Sequence, residues 1–155
     1  MHKTRLITRA AAIAALYAAL TLALAPISYG AVQLRVAEAL TLLPLLWVEA
    51  IPGLFIGCFL ANLIGGYGIL DAVVGGLATL LAALLTRKLR KNQWLAALPP
   101  VLVNAVAIGL LLYFVADAPL WFTMLTVGAG QAAACYALGL PLLALMKKTG
   151  LAQKL

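Results

Sequence analysis

The chain has little charge, and most of the charge it has is of one sign. Only 10% of its 155 residues are charged, 66% are hydrophobic, and four acidic residues stand against eleven basic ones. An ordinary soluble domain is about 25% charged, so a soluble fold of this length could not cover so much apolar surface. With a mean hydropathy of +1.11, the sequence indicates an integral membrane protein, read as a single domain over residues 1–155.

The motifs of several enzyme classes are missing. No GxxxxGK[ST] pattern occurs, which excludes ATP binding through a P-loop. The single histidine is His2, and the absence of HExxH and CxxC leaves no recognisable zinc site. A GxSxG elbow is also absent. We therefore expect no catalytic residue, metal or cofactor in this chain. If ATP drives its work, partner subunits must hydrolyse the ATP.

Cysteine and aromatic residues are sparse and do not form functional patterns. Cys58 and Cys135 lie in separate apolar runs and are expected to be small buried hydrophobic residues. The basic residues form short clusters that are not interleaved with aromatic residues. This favours cytoplasmic loop charge and argues against nucleic-acid binding.

Six hydrophobic segments are separated by loops that contain glycine, proline or charge. We predict an all-α integral membrane protein with approximate helices 10–25, 37–48, 51–64, 69–86, 94–116 and 120–146. The second segment has roughly twelve residues and would span about 18 Å of a ~30 Å hydrocarbon core. Its neighbours must shield it, or the preceding loop must extend it.

Three basic clusters decide the predicted topology. They are Lys3/Arg5/Arg9, Arg87/Lys88/Arg90/Lys91 and Lys147/Lys148/Lys154. Cytoplasmic loops carry an excess of lysine and arginine. Four segments separate the first two clusters and two separate the last two, so all three clusters can lie on one side. We therefore predict six crossings, both termini in the cytoplasm, and outer loops at 26–36, 64–70 and 116–119.

Polar side chains interrupt the apolar sequence mainly between Ser28 and Asp71. Three of the four acids lie in this stretch. A charge in such surroundings is costly unless it is paired or faces a polar cavity, which makes the stretch a candidate functional region. The outer-facing polar residues are Tyr29, Gln33, Arg35, Glu38, Asn62, Asp71 and Trp121, with Asn104 and Gln131 deeper at mid-membrane.

These residues suit a pocket for a small polar ligand, but structural alternatives exist. Carboxylates accept hydrogen bonds from N–H groups, amides both donate and accept, and tyrosine and tryptophan offer flat faces for a ring. Alternatively, Arg35 and Glu38 pair with each other on one helical turn. In the same way, Asn104 and Gln131 could form hydrogen bonds between helices of the bundle.

Two further acids have simpler interpretations. Glu49 is expected to cap the helix around Pro52, because acids favour helix amino termini. Asp117 is followed by Ala-Pro and is expected to be a solvated turn residue.

Alanines recur every four residues along the first segment. One ridge is Ala10, Ala14 and Ala18, and the other is Ala11, Ala15 and Ala19. Four-residue spacing places each set on one helix face. Such faces let membrane helices approach closely. The pattern alone does not decide whether the neighbour is a partner subunit or this chain's own bundle.

A series of motifs runs from the first segment to the fourth. It comprises PISYG at Pro26–Gly30, Q-x-R-x-x-E at Gln33–Glu38, EALTLLP ending at Pro44, EAIPG at Glu49–Gly53, ANL at Ala61–Leu63, ILD at Ile69–Asp71 and GGLATLLAALLT at Gly75–Thr86. Together these motifs, which cover over half of the chain, resemble the queuosine-precursor transporter family, often called QueT. Members of that family are proposed substrate-binding S components of energy-coupling factor (ECF) transporters.

The resemblance implies a six-helix S component in a prokaryotic cell membrane, with both termini in the cytoplasm. It implies a pocket near the outer face, roofed by the loop after the first helix. It also implies assembly with a transmembrane T subunit and two cytoplasmic ATPases. In related S components an AxxxA ridge on the first helix contacts the T subunit, and either alanine ridge of this chain would serve.

The resemblance also implies a ligand, a 7-deazaguanine precursor of queuosine such as preQ0 or preQ1. A carboxylate can accept hydrogen bonds from the N1–H and the 2-amino group of the guanine edge at once. We expect Glu38 to read that edge, Asp71 to support it or to meet the pyrrole side, and Arg35 to orient Glu38 or close the loop. Amide contacts are expected from Gln33 and Asn62, and ring stacking from Tyr29 or Trp121. The alternatives are an S component for another vitamin-like solute and a structural or assembly membrane protein without a ligand.

Overall fold

The computed structural model describes residues 2–29, 34–65 and 68–150, and every regular element in them is a helix. This confirms the predicted all-α class. In chain order the elements are α1 (His2–Ala23), α2 (Ala25–Ser28), a 3-10 helix (Val36–Leu45), α3 (Ala50–Ile64), α4 (Ile69–Lys88), α5 (Gln93–Ala96), α6 (Leu98–Ala116), α7 (Leu120–Ala132), a π-helical segment (Ala133–Gly139) and α8 (Leu140–Lys148).

Four stretches of the described chain are long and apolar enough to cross a bilayer: Lys3–Ala23, Ile69–Lys88, Gln93–Ala116 and Leu120–Lys148. The 3-10 helix and α3 are also apolar but have only 10 and 15 residues. At ~2.0 Å per residue in a 3-10 helix and ~1.5 Å in an α-helix, each covers roughly 20 Å of a ~30 Å core. The long stretches indicate a multi-pass membrane protein, while the six crossings and the cytoplasmic termini stay predictions.

The second predicted helix, 37–48, is a 3-10 helix that ends at Leu45. Pro44 lies inside it, and proline has no N–H to donate to an α-helical ladder. Residues 37–44 are all buried, so this short element crosses the interior of the bundle. At its end, Arg87 Nη1 of α4 donates to the carbonyl oxygens of Pro44 at 2.8 Å and Leu45 at 3.4 Å. The side chain thereby satisfies acceptors that the helix end leaves free.

Helix α1 packs against α3 through small residues. A Cβ added to Gly53 would lie 2.7 Å from the carbonyl oxygen of Ala10, and one added to Gly57 would lie 2.8 Å from that of Ala14. Glycine at these two positions is therefore what allows the backbones to come so close. The first alanine ridge consequently faces this chain's own bundle, with Ala18 packed partly against the core. The exposed ridge is Ala11, Ala15 and Ala19.

Contacts of Arg9 and Glu49 connect α1 to the turn before α3. Arg9 Nη1 donates to Glu49 Oε1 at 2.6 Å, and the Arg9 guanidinium lies 5.5 Å from the centre of the Trp47 ring. Glu49 stands at the N-cap of α3, but its side chain makes no capping hydrogen bond. Glu49 thus occupies the predicted position at the amino terminus of α3, while its carboxylate pairs with Arg9 and does not form a capping hydrogen bond. Burial alone would raise the pKa of Glu49, but hydrogen bonds from its own backbone N–H and from Arg9, with the charges of Arg9 and Arg87, lower it.

The first, fifth and sixth predicted helices have different bounds in the structure. The basic flank before residue 10 is helical, since α1 begins at His2. The predicted helix 94–116 is divided at Ala97, where two prolines open α6. The predicted helix 120–146 contains the π-helical segment, which ends where Gly139 meets the 3-10 helix. A Cβ on Gly139 would lie 2.9 Å from Leu42 Cδ1.

Candidate functional site

A small cavity of about 10 Å³, roughly the room of one water molecule, opens between the 3-10 helix, α3, α4, α6 and α7. Its walls combine charged, amide and hydroxyl groups with small apolar side chains. The lining residues are Arg35, Glu38, Cys58, Gly75, Thr79, Asn104, Ile108, Val127 and Gln131. This is the mixture that small-molecule sites use, in which a few polar groups orient a ligand within apolar walls. The predicted residues Arg35, Glu38, Asn104 and Gln131 thus lie around one space.

Glu38 is only 2% exposed and is held by donors from two helices. Tyr17 Oη of α1 donates to Glu38 Oε1, and Gln131 Nε2 of α7 donates to Glu38 Oε2 at 2.9 Å. Behind the carboxylate, Thr41 Oγ1 donates to the carbonyl oxygen of Glu38 at 2.6 Å. Each carboxylate oxygen retains further acceptor capacity towards the cavity, since an ionised carboxylate offers about four lone-pair sites.

Arg35 lies at the N-cap of the 3-10 helix and is 7% exposed. Its Nε donates to the carbonyl oxygen of Ser28 at 3.4 Å, and its guanidinium lies 4.9 Å from the centre of the Tyr29 ring. Within the described residues, no ion pair joins Arg35 to Glu38. The hydrogen bonds of Arg35 and Glu38 go to other partners, although both charges line one cavity and interact electrostatically.

Asn104 of α6 lies in the cavity wall with only 5% of its surface exposed. In the described part of the chain its side-chain amide makes no hydrogen bond, in contrast to the amide of Gln131. A buried amide without a partner is unfavourable, and it can both donate to and accept from a bound molecule. The structure therefore gives no support to a bundle-holding role for Asn104, and it leaves that amide available to a ligand.

Tyr29, Asn62 and Asp71 form a second polar group close to the cavity. Tyr29 Oη donates to Asn62 Oδ1 at 3.2 Å, and Asn62 Nδ2 donates to the backbone oxygen of Asp71 at 3.1 Å. Gly75 separates this group from the cavity, since a Cβ there would lie 2.5 Å from Asn62 Nδ2. The buried Asp71 Oδ2 has no hydrogen-bond partner among the described residues. Asn62 and Asp71 therefore support the cavity from outside its wall.

Of the remaining predicted ligand contacts, Trp121 lies apart from the cavity and Gln33 is not among the described residues. Trp121 is 77% exposed on α7, so the structure does not bring its ring to the cavity, contrary to the stacking prediction. Gln131 lies on the buried face of α7 with Thr123 and Val127, whereas Trp121 lies on the exposed face of the same helix.

The structure adds residues that sequence reasoning did not assign to the site. Thr79 and Cys58 line the cavity, and Tyr17 holds Glu38 from behind. Cys58 is buried as predicted, at 1% exposure, but its wall position was not foreseen. The available signal for Tyr17 was its hydroxyl, one of two polar groups, with that of Thr21, in the apolar run of α1 after Arg9.

Comparison with known proteins identifies the family. The sequence pattern of the family described as QueT transporter matches residues 7–148. The chain is also similar to a protein of Lactococcus lactis subsp. cremoris (strain MG1363) named "Queuosine precursor transporter QueT". The two are 32% identical over 149 residues, which covers 86% of this chain and 88% of the relative. No solved structure gives a significant match. The family match over most of the chain and the relative of nearly equal extent agree, and the chain belongs to the QueT transporter family.

Proposed function

We propose that this protein captures a 7-deazaguanine precursor of queuosine in the Glu38 cavity for uptake across the cell membrane. The family supports transport, and the name of the Lactococcus relative supports the ligand class. The observation that carries the proposal is the cavity itself. Its walls hold a buried carboxylate with spare acceptor capacity and the amide of Asn104, which makes no hydrogen bond to the described residues.

The chemistry of the cavity matches the base. Glu38 can accept from both the N1–H and the 2-amino group of a guanine edge, in a charge-assisted bidentate arrangement. Asn104 can donate to O6 or accept from the pyrrole N–H, because an amide does both. Arg35, a cation in the same cavity wall, can also donate a hydrogen bond to O6. An aminomethyl substituent adds a cation, which would be favoured by the free carboxylate oxygen of Asp71.

Binding requires a change in the walls. The cavity has only about 10 Å³ of free space, far below the ~300–1,000 Å³ of ordinary ligand pockets. A planar bicyclic base can enter only if side chains move apart. Tyr29, which bonds to Asn62, and Arg35, which bonds to Ser28, belong to the predicted loop 26–36 after the first helix, where the resemblance places the roof of the pocket.

The energy for uptake would come from ATP hydrolysis on partner subunits. The chain carries no P-loop pattern, so ATP-driven uptake needs separate ATPases. We propose that it works as the S component of an ECF transporter, with a T subunit and two ATPase subunits. The exposed ridge Ala11, Ala15 and Ala19 is the face for the T subunit, since the other ridge is covered by α3.

A ligand panel tests the proposed function. The purified protein is heated with preQ0, with preQ1, and with water-soluble vitamins such as riboflavin and biotin. Ligand binding stabilises the folded state by RT ln(1 + [L]/Kd), about 2.7 kcal/mol at a hundredfold excess over Kd. We expect both deazaguanines, and neither vitamin, to raise the unfolding temperature. A vitamin that stabilises in their place would make the chain an S component for another solute. A flat response to the whole panel would favour a structural role.

A further inference from the structure

Glu38 is fixed by neutral donors on both sides of its carboxylate. Tyr17 Oη occupies one position on Oε1, and Gln131 Nε2 occupies one on Oε2 at 2.9 Å. Tyr17 is 0% exposed and Glu38 is 2% exposed, so bulk water does not compete for these bonds. Because the two donors come from α1 and α7, they fix the plane of the carboxylate as well as its location.

Tyr17 is not part of the cavity wall. The lining residues include Glu38 and Gln131, whereas Tyr17 lies behind Glu38 on the side of α1. Its position is tightly defined. Thr21 Oγ1 donates to its carbonyl oxygen at 2.8 Å, and a Cβ added to Gly57 would lie 2.9 Å from its own Cβ. The phenol can therefore influence a ligand only through Glu38.

We propose that Tyr17 is a positioning residue that holds Glu38 in the orientation needed to accept the N1–H and the 2-amino group of the base. This inference rests on the proposed function. A bidentate contact requires both carboxylate oxygens to face the ligand edge in one plane. Tyr17 and Gln131 each use one acceptor position on one oxygen, which leaves one position on each oxygen for the ligand. Without the phenol hydroxyl, the carboxylate turns more freely about its last bond and loses the paired contact.

The experiment compares two bases that differ only in the group being read. 7-Deazaguanine carries the 2-amino group, and 7-deazahypoxanthine lacks it. The wild-type protein should bind 7-deazaguanine about tenfold or more tightly than 7-deazahypoxanthine, since one charge-assisted hydrogen bond is missing from the second complex. In Tyr17→Phe this ratio should fall towards one, because Glu38 no longer presents both oxygens. Calorimetric titration of the purified chain measures both affinities.

Controls separate positioning from general destabilisation. Tyr136→Phe deletes the same hydroxyl from a tyrosine whose partner is the backbone oxygen of Trp94, away from the cavity, and should keep the wild-type ratio. If Tyr17→Phe does not accumulate in folded form, Gln131→Met replaces it, because this substitution of similar size deletes the second donor to Glu38 and should lower the ratio in the same way. A Tyr17 variant that weakens both bases equally and keeps the ratio would overturn the positioning role alone. A wild-type protein that binds neither base would overturn the proposed function as well.

Discussion

Glu38 is placed differently from the other three acids of the chain. Glu49 is paired with Arg9, Asp117 lies in an exposed turn, and Asp71 is only partly buried. Glu38 alone is fully buried, and its hydrogen bonds come from neutral groups. Burying a carboxylate costs free energy, and the charge of Arg35 in the same cavity offsets part of that cost without a hydrogen bond to Glu38. A ligand edge with two N–H groups would supply further hydrogen-bond donors.

Glu38→Gln should weaken 7-deazaguanine binding at least tenfold. The amide keeps the size of the side chain but replaces one acceptor oxygen with a donor, so it cannot accept from both ligand groups. Losing a buried charged hydrogen bond typically costs about 2–5 kcal/mol, or roughly thirty-fold to several thousand-fold in affinity. Titration calorimetry measures the change. The matched control is Glu49→Gln, the same substitution in the Arg9 pair outside the cavity, which should leave affinity unchanged. If the two variants bind 7-deazaguanine with equal affinity, Glu38 does not contact the ligand.

At the scale of elements, the two ridges of α1 show what the sequence can predict. The four-residue spacing of alanine predicts two small-residue faces correctly as surfaces of one helix. Which of them is covered depends on Gly53 and Gly57, about forty residues away on α3. Local spacing carries no information about that contact, so the sequence left both faces open and the structure decides between them.

Departures from α-helical geometry follow the same rule. The end of the 3-10 helix had a local signal, Pro44, which was read as part of a continuous helix. The π-helical segment had none, because Ala133–Gly139 is an apolar run without a breaker inside it. Its packing depends on Gly139 meeting Leu42 of the 3-10 helix.

In the site, Arg35, Glu38, Asn104 and Gln131 could be predicted because they are polar residues in apolar segments. Tyr17 was not predicted, because nothing in the sequence near its hydroxyl indicates the carboxylate that it meets 21 residues further along the chain.

Bulky substitutions on the two ridges should have different effects. Ala15→Trp adds an indole to an exposed face, so the protein should fold and bind ligand but lose copurification with the T subunit, whose helices can no longer approach. Ala14 is 6% exposed and its backbone touches Gly57, so Ala14→Trp should lower the yield of folded protein and the unfolding temperature. Pull-down and thermal unfolding separate the two outcomes.

Leu81→Trp supplies the control for the ridge experiment. Leu81 lies on α4 and is 51% exposed, so tryptophan there adds the same bulk to a different outward face. It should keep both folding and copurification. If Ala15→Trp still copurifies as well as Leu81→Trp, the exposed ridge faces lipid and not a T subunit.

At the scale of the whole molecule, α1 is joined to the segment that follows it at two places. Tyr17 meets Glu38 beside the cavity, and Arg9 meets Glu49 at the other end of the bundle. Helix α4 shows the same polarity, with Gly75 in the cavity wall and Arg87 at the end of the 3-10 helix. Twelve helical residues separate these two positions, or about 18 Å. The cavity, which contains Arg35, and the pair Arg9 and Arg87 therefore occupy opposite halves of the bundle.

That polarity supports the predicted orientation in the membrane. Arg9 and Arg87 both act on Glu49, and Met146, next to Lys147, packs with Trp47 against one core. The described residues of all three basic clusters therefore reach the same end, which the excess of lysine and arginine assigns to the cytoplasm. We expect Lys91→Cys to react with a membrane-impermeant maleimide only after the cells are permeabilised. Ala116→Cys, at the end of α6, should react in intact cells.

The native thiols make this labelling experiment clean. Cys58 is 1% exposed and Cys135 is 0% exposed, so the unmodified chain should give little background. Lys91 and Ala116 are both exposed, so a difference between them reports the side of the membrane and not burial. Labelling of Lys91→Cys in intact cells, with Ala116→Cys protected, would mean that the orientation is the reverse of the predicted one and that the basic end lies outside. Labelling of both would mean that an odd number of crossings does not separate them, and the six-crossing arrangement would have to be abandoned.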